Sequence, residues 1–104
     1  MKKVLLDLNP ARTVERIHEY LKFELEFSDY YGGNLDALYD ELTSVTEDTC
    51  VGVFCPPDDG SRVSDYLGRV KKVMKDAERD NPRLCIIFGD MEDNYEDQRR
   101  DDFL

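Results

Sequence analysis

The chain has 104 residues, of which 24 are acidic and 14 basic, so its formal net charge at pH 7 is −10. This length favours one domain with a single hydrophobic core. So acidic a surface repels the phosphates of nucleic acids and anionic lipids, and we expect neither nucleic acid nor a membrane as the partner. A basic protein is the natural complement, and a merely solvated acidic surface is the alternative.

Targeting signals and metal sites are not expected either. The apolar run in MKKVLLDLNP is too short for the hydrophobic region of a signal peptide. Cys50, Cys55 and Cys85 lie in apolar runs, which predicts buried, reduced thiols in a cytoplasmic protein. We also expect the protein to be a monomer when free. Their spacing, with His18 as the single histidine, lacks the paired ligands of a zinc site. We expect no cofactor and no metal.

Taken in chain order, the apolar patterns predict six elements. The run KKVLLDL, which begins at residue 2, is short, apolar and β-prone, and TCVGVFC and RLCIIFG, which begin at residues 49 and 83, are predicted to be buried strands. Thr13 and Asn34 can cap two helices between the first and second strands. Ser64 can cap a third helix, which the Asn-Pro pair at residues 81–82 ends. The expected apolar stripes of the helices are Val14, Ile17, Leu21 and Leu25; Leu35, Leu38 and Leu42; and Leu67, Val70, Met74 and Ala77.

The predicted order β, α, α, β, α, β indicates a fold class. Apolar strands separated by helices favour a parallel sheet, and right-handed crossovers between strands in the order 1-2-3 put the helices on one face. We therefore predict a small two-layer α/β domain, with a three-stranded parallel sheet and helices packed on one face, over residues 1–89. Residues 90–104 hold seven acids and two arginines and are predicted to be an acidic C-terminal extension. Their charge is expected to speed association with a basic partner by long-range attraction.

The sequence carries no recognisable catalytic motif, so we do not expect an enzyme. His18 is expected at the surface or its boundary, with no nucleophile placed to pair with it. Asp58, Asp59 and Asp90 follow predicted strands, where α/β folds often hold metal ligands. The composition of PPDDG also favours a simple turn. A small metal-dependent hydrolase therefore stays open as one alternative.

A long stretch without cations surrounds the second predicted helix. Residues 23–61 contain no Lys or Arg, although this 39-residue interval holds ten acids. The helical repeat places Asp36, Tyr39 and Asp40 on one side of the helix, with Thr43 one turn further. Like charges four residues apart are mildly unfavourable unless a cation lies between them. The pattern favours a surface that binds a cationic partner, with a solvated helix face as the alternative.

The same region resembles a known family. The run YYGGNLDALYDELT, residues 30–43, is similar to the barstar motif of two tyrosines, a glycine, any residue, Asn-Leu-Asp-Ala-Leu, an aromatic residue and Asp. More weakly, VMKDAERDNPRLCIIFG at residues 73–89 resembles the third helix and last strand of that family. We expect the resemblance to end at residue 89. Barstar-like proteins are intracellular inhibitors of the ribonuclease barnase. The resemblance therefore implies an inhibitor whose second helix and preceding loop enter a basic nuclease cleft.

The resemblance also implies which residues touch the nuclease. Asp40 would mimic a substrate phosphate. The other implied contacts are Tyr30, Gly32, Asn34, Leu35, Asp36, Tyr39, Thr43 and Ser44 in the loop and second helix, and Val73, Asp76 and Asp80 on the third helix. The implied partner is a basic ribonuclease or another nuclease toxin, bound one to one. A regulatory protein-binding module with a non-nuclease partner is the remaining alternative.

Several positions depart from the family pattern. Tyr39 replaces a tryptophan, Glu41 replaces a cysteine, and Val45 stands where the family has a second tryptophan. Asp76 and Asp80 stand where the family has glutamates, whose side chains are longer. These differences bear on the identity of the partner more than on the fold.

Overall fold

The computed structural model describes residues 1–89, so the predicted acidic extension at residues 90–104 lies outside the described residues. Six elements follow one another: β1 (Lys2–Asp7), α1 (Val14–Leu25), α2 (Leu35–Thr43), β2 (Thr49–Phe54), α3 (Arg62–Asp80) and β3 (Leu84–Gly89). The strands form a parallel sheet in the order β1-β2-β3. The predicted α/β fold and its order of elements are confirmed.

The helices cover one face of the sheet and leave the other open. Val51 and Val53 of β2 point into the core, whereas Leu5 and Ile87, on the opposite face, are 71% and 56% exposed. The strands therefore alternate between core and solvent, and the expectation that the runs of β2 and β3 are buried strands is wrong for the residues on the open face. The buried apolar side chains are Leu6, Leu8, Ile17, Leu21, Leu38, Leu42, Val51, Val53, Leu67, Val70, Met74, Ala77, Leu84 and Ile86.

The helices begin at polar caps, two of which were predicted. Thr13 caps α1, and Asn34 caps α2 by accepting a hydrogen bond from the N–H of Ala37 at 2.8 Å. The cap of α3 is Ser61 and not Ser64, because the Ser61 hydroxyl accepts from the backbone of Ser64 at 3.1 Å. Ser61 and Ser64 are both residue types that favour a cap position, but the turn before α3 ends at Ser61, so the helix begins there. Within residues 1–89, no helix is long and apolar enough to cross a membrane.

Side chains from the helices block both edges of the sheet. The Tyr20 hydroxyl accepts a hydrogen bond from the backbone N–H of Asp7 on β1, at 2.8 Å. On the other edge, the Glu78 carboxylate accepts from the N–H of Ile86 on β3, at 2.7 Å. Free N–H groups on an edge strand would otherwise recruit a further strand. The edges are therefore poor candidates for pairing with a further strand at these positions.

His18 lies in the interior, and the expectation that it is a surface or boundary residue is wrong. It is only 4% exposed. Its Nδ1 contacts the Tyr31 hydroxyl, and its Nε2 lies 2.7 Å from the hydroxyl of Tyr66. Because both ring nitrogens have partners, the imidazole can be buried without an unsatisfied polar group. Burial lowers the pKa of His18, so the neutral ring is favoured.

The cysteines are half-buried rather than fully buried, and all three are free thiols. Cys50 and Cys85 lie on the open face of the sheet, on neighbouring strands. Cys55 follows the end of β2, and its burial raises the pKa of the thiol. The expectation of buried thiols is therefore wrong for all three positions. Cys50 and Cys85 lie on the face that has no helical layer, whereas Cys55 packs against the core but lies past the end of β2, where it stays partly exposed.

Candidate functional site

Helix α2 is anchored at both ends, which gives its outer face a defined position. Leu38 and Leu42 are fully buried beneath it. Asn34 caps its first turn. At the other end, the Nδ2 group of Asn81 donates hydrogen bonds to the carbonyls of Leu42 and Val45, at 3.0 Å and 3.1 Å. The Leu42 carbonyl belongs to the last turn of α2, where carbonyls lack an i+4 partner, and Val45 follows the C-cap Ser44, so Asn81 ties the end of α2 to the junction of α3 and β3.

Two carboxylates on the outer face of α2 have no partner in the described chain. Asp36 and Asp40 are both exposed. Among residues 1–89, neither carboxylate takes part in an ion pair. They lie four residues apart on one helix, where like charges repel each other. The face therefore gains free energy from a cation placed between them.

Other acids of the cation-free interval do find partners elsewhere in the chain. Glu26 pairs with Lys2 at 3.3 Å, and Asp29 lies 3.9 Å from Lys22. Asp48 pairs with Arg83 at 3.0 Å. The need for an external counter-charge thus does not apply to the interval as a whole. Glu24 and Glu47 have no ion-pair partner among residues 1–89 either. Asp36 and Asp40 differ from them because they lie one turn apart on the same exposed face of α2.

The hydroxyls at the end of α2 present acceptors only. The Thr43 hydroxyl donates to the backbone carbonyl of Tyr39 at 2.8 Å, and the Ser44 hydroxyl donates to that of Asp40 at 2.7 Å. Since each hydroxyl has a single proton, both donors are already used within the helix. Their remaining lone pairs can accept hydrogen bonds from an Arg or Lys. The face of α2 is therefore an array of acceptors.

The α3 part of the predicted site is neutralised by the chain itself. Asp80 pairs with Arg79, whose Nε lies 3.0 Å away, and accepts a hydrogen bond from the Tyr39 hydroxyl. The hydrogen bonds that Arg79 and, to a smaller extent, Tyr39 donate to Asp80 lower the pKa of its carboxyl group. Asp76 lies 3.2 Å from Lys72 and 3.5 Å from Arg79. The Tyr39–Asp80 contact joins α2 to α3 and fixes the ring beside the two unpaired carboxylates.

The loop before α2 has one exposed aromatic side chain and one anchored one. Tyr30 is 94% exposed, whereas Tyr31 packs against Phe27 and bonds to His18. Gly33 has a φ of 70°, in the left-handed region that favours glycine. Tyr31 therefore holds the loop to the domain while Tyr30 projects from it.

The structure groups most of the predicted contact residues on the surface of α2, its loop and α3. Leu35 and Val73 are half-buried against the core and offer less area than expected. Sequence reasoning missed Lys72 and Arg79, which place two cations among the predicted acids. The spacings Lys72–Asp76 and Asp76–Arg79, four and three residues on one helix, were the available signal.

The aspartates of the loop before α3 serve the turn. The Asp58 carboxylate accepts from the N–H of Gly60 at 2.9 Å and from the Ser64 hydroxyl at 2.8 Å. Asp59 accepts from the N–H of Ser61 at 2.9 Å. Residues 1–89 contain no group of three or more His, Cys, Asp or Glu side chains that could hold a metal ion. Asp90 lies outside the described residues. The described part of the chain thus offers the metal-dependent alternative no ligand set.

Comparison with known proteins identifies the family. A family model described as "Barstar (barnase inhibitor)" matches residues 1–103. The chain belongs to the barstar family. The match continues beyond residue 89, where we placed the end of the resemblance. Membership of the barstar family agrees with the observed order of helices and strands.

One relative of this barstar-family chain is a bacterial protein. Over 43 residues the chain is 49% identical to the "Putative ribonuclease inhibitor YrdF" of Bacillus subtilis (strain 168). That region is 41% of this chain and 47% of the relative, so the match spans about half the length of each.

Proposed function

We propose that this chain is a ribonuclease inhibitor that occludes the basic active site of a cognate nuclease with α2 and the loop before it. The observation that carries the proposal is the pair of exposed carboxylates, Asp36 and Asp40, which lack a partner in residues 1–89 on a helix anchored at both ends. Family membership supports the same conclusion.

The chemistry of the partner follows from that face. A ribonuclease uses Arg and Lys side chains to hold the phosphates of RNA. A carboxylate accepts the same charge-assisted hydrogen bonds, and with Arg it can accept two at once. Asp40 is the proposed phosphate mimic, as the family resemblance implies, and the acceptor hydroxyls of Thr43 and Ser44 follow it by about one helical turn. Because the helix is already ordered, binding costs little conformational entropy.

The α3 residues are assigned a smaller part. Asp76 and Asp80 are balanced by Lys72 and Arg79, so this cluster carries no net charge. A nuclease cation gains less from carboxylates that already have partners, and Arg79 would repel it. The proposed anchor is therefore α2, with Tyr30 as an apolar contact from the loop.

The test is inhibition of ribonucleases by the purified chain. Barnase and a panel of other basic ribonucleases, including any encoded beside this gene, are titrated with the protein while hydrolysis of a fluorogenic RNA is followed. The expected result is loss of activity of at least one enzyme at a ratio near one to one. If none is inhibited at micromolar concentration, the inhibitor proposal fails. A non-nuclease protein whose binding depends on Asp40 would then support the regulatory alternative.

The role of α2 is tested with a matched pair of variants. Asp40→Ala should weaken the complex by about 2–5 kcal/mol, since it leaves nuclease cations buried and unpaired; this range rests partly on barnase and barstar themselves. Asp65→Ala is the control. Asp65 is also exposed, pairs with Arg69 on α3, and lies roughly 22 Å along the helix from Asp80. Losses of equal size for the two variants would refute the assignment.

A further inference from the structure

Two thiols face each other on the open side of the sheet. Cys50 of β2 and Cys85 of β3 are register partners, and their Sγ atoms lie 3.1 Å apart. Both side chains are half-buried and free. The helices and the proposed nuclease-binding face are on the other side of the sheet. The proposed function therefore leaves this pair without a role.

The geometry of the strands suits a covalent bond between these thiols. Neighbouring strands lie about 4.8 Å apart, which is within the window of about 4.4–6.8 Å for the Cα atoms of a disulfide. As register partners, the two side chains leave the sheet on the same face. A disulfide bond is about 2.05 Å long, so the sulfurs need to approach each other by only about 1 Å. Side-chain rotation can supply most of that movement.

We propose that Cys50 and Cys85 are an oxidation site at which a peroxide converts the thiol pair into an intramolecular disulfide that locks β2 to β3. Partial exposure on the open face gives a small oxidant access to both sulfurs.

The reaction balances with one molecule of peroxide for each pair. The Cys50 thiolate attacks one peroxide oxygen, the O–O bond breaks, and a sulfenic acid and hydroxide form. The Cys85 sulfur then attacks the sulfenic sulfur, the S–OH bond breaks, and water leaves as the S–S bond forms. In total, two thiols lose two electrons and two protons, and the peroxide is reduced to two waters. Contact with Cys50 raises the pKa of the Cys85 thiol, and the balance is the same whichever sulfur reacts first.

The disulfide would act on stability rather than on recognition. It closes a loop from residue 50 to residue 85 that contains all of α3. Such a link reduces the conformational freedom of the unfolded chain and so favours the folded state. Because the bond lies on the face opposite the helices, it leaves α2 accessible. The oxidised protein should therefore inhibit its nuclease as well as the reduced protein does.

Mapping of the link requires a variant, because Cys50 and Cys55 fall in one tryptic peptide, residues 23–62. The full-length Cys55→Ser protein is reduced, treated with equimolar hydrogen peroxide under native conditions, alkylated and digested with trypsin. The expected product joins residues 23–62 to residues 84–99 and is about 2 Da lighter than the two reduced peptides together, because two hydrogens are lost. The control, Cys55→Ser with Cys50→Ala, should give no such product.

Urea unfolding of the same Cys55→Ser protein tests whether the disulfide stabilises the folded state. The midpoint of the oxidised form should exceed that of the reduced form by roughly 1 M or more, and dithiothreitol should abolish the difference. Recovery of both cysteines as alkylated thiols, sulfinic acids or links between two molecules would overturn the proposal. A linked peptide without a higher urea midpoint would overturn the proposal too, because the disulfide would then not stabilise the folded protein. Neither readout involves a nuclease, so the outcome is independent of the inhibitor assay.

Discussion

Replacement of Asn81 tests how α2 is held in place. Asn81 is 5% exposed and lies between the end of α3 and the start of β3. Its amide group donates to the carbonyls of Leu42 and Val45, and its Oδ1 accepts from the N–H of Arg83 at 3.0 Å. Asn81→Ala removes all three hydrogen bonds. The Val45 carbonyl then loses its donor, and the Leu42 carbonyl keeps only a backbone contact with the N–H of Val45, at 3.4 Å.

The size of the effect follows from those contacts. A typical intramolecular hydrogen bond contributes about 0.5–1.5 kcal/mol net, and a buried group left unpaired costs about 1–3 kcal/mol. Water can reach part of the space vacated near the surface, which reduces the loss. We expect Asn81→Ala to lower the free energy of unfolding by about 2–4 kcal/mol, a large share of the stability of a small domain.

Urea denaturation followed by circular dichroism measures this change, with two comparison variants. Asn9→Ala removes a side-chain hydrogen bond to Asp7 at a less buried site and should cost under about 1 kcal/mol. Asn81→Asp nearly keeps the shape but replaces the donating amide with a carboxylate that faces two carbonyl oxygens. It should destabilise the protein at least as much as Asn81→Ala at neutral pH. If Asn81→Asp is tolerated, the donors do not hold α2 and the reasoning is refuted.

Three further predictions concern affinity, pH and association rate. Asp36→Ala should weaken nuclease binding tenfold or more, and Asp76→Ala less than about fivefold because Asp76 already has partners, as measured by calorimetry. Burial lowers the pKa of His18, so the unfolded chain binds the extra proton more readily, and stability should fall as the pH drops through the unfolded value of 6.5. Urea midpoints at about pH 8 and about pH 5.5 should differ less for His18→Gln than for the unaltered protein. Deletion of residues 91–104, which hold six acids and two arginines, should slow association several-fold at low salt but not at high salt, by stopped-flow mixing.

Much of the architecture could be predicted from the sequence because it rests on local patterns. The apolar repeat of α2 and its cap at Asn34 depend on residues within about two helical turns of one another. The same repeat separates Leu38 and Leu42 from Asp36 and Asp40, so the helical period alone is enough to predict the acidic face. The start of α3 was less well determined, since two serines near the turn satisfy the same local rule.

The tertiary structure decided which side chains meet across elements. The burial of His18 depends on the hydroxyl of Tyr66, 48 residues along the chain. Tyr39 meets Asp80 only because α2 packs against α3, and Cys50 meets Cys85 only through the register of β2 and β3. Periodicity reports which face of an element is apolar, but it carries no information on how two faces are aligned. That alignment determines which acids remain unpaired for a partner and which thiols lie close enough to react.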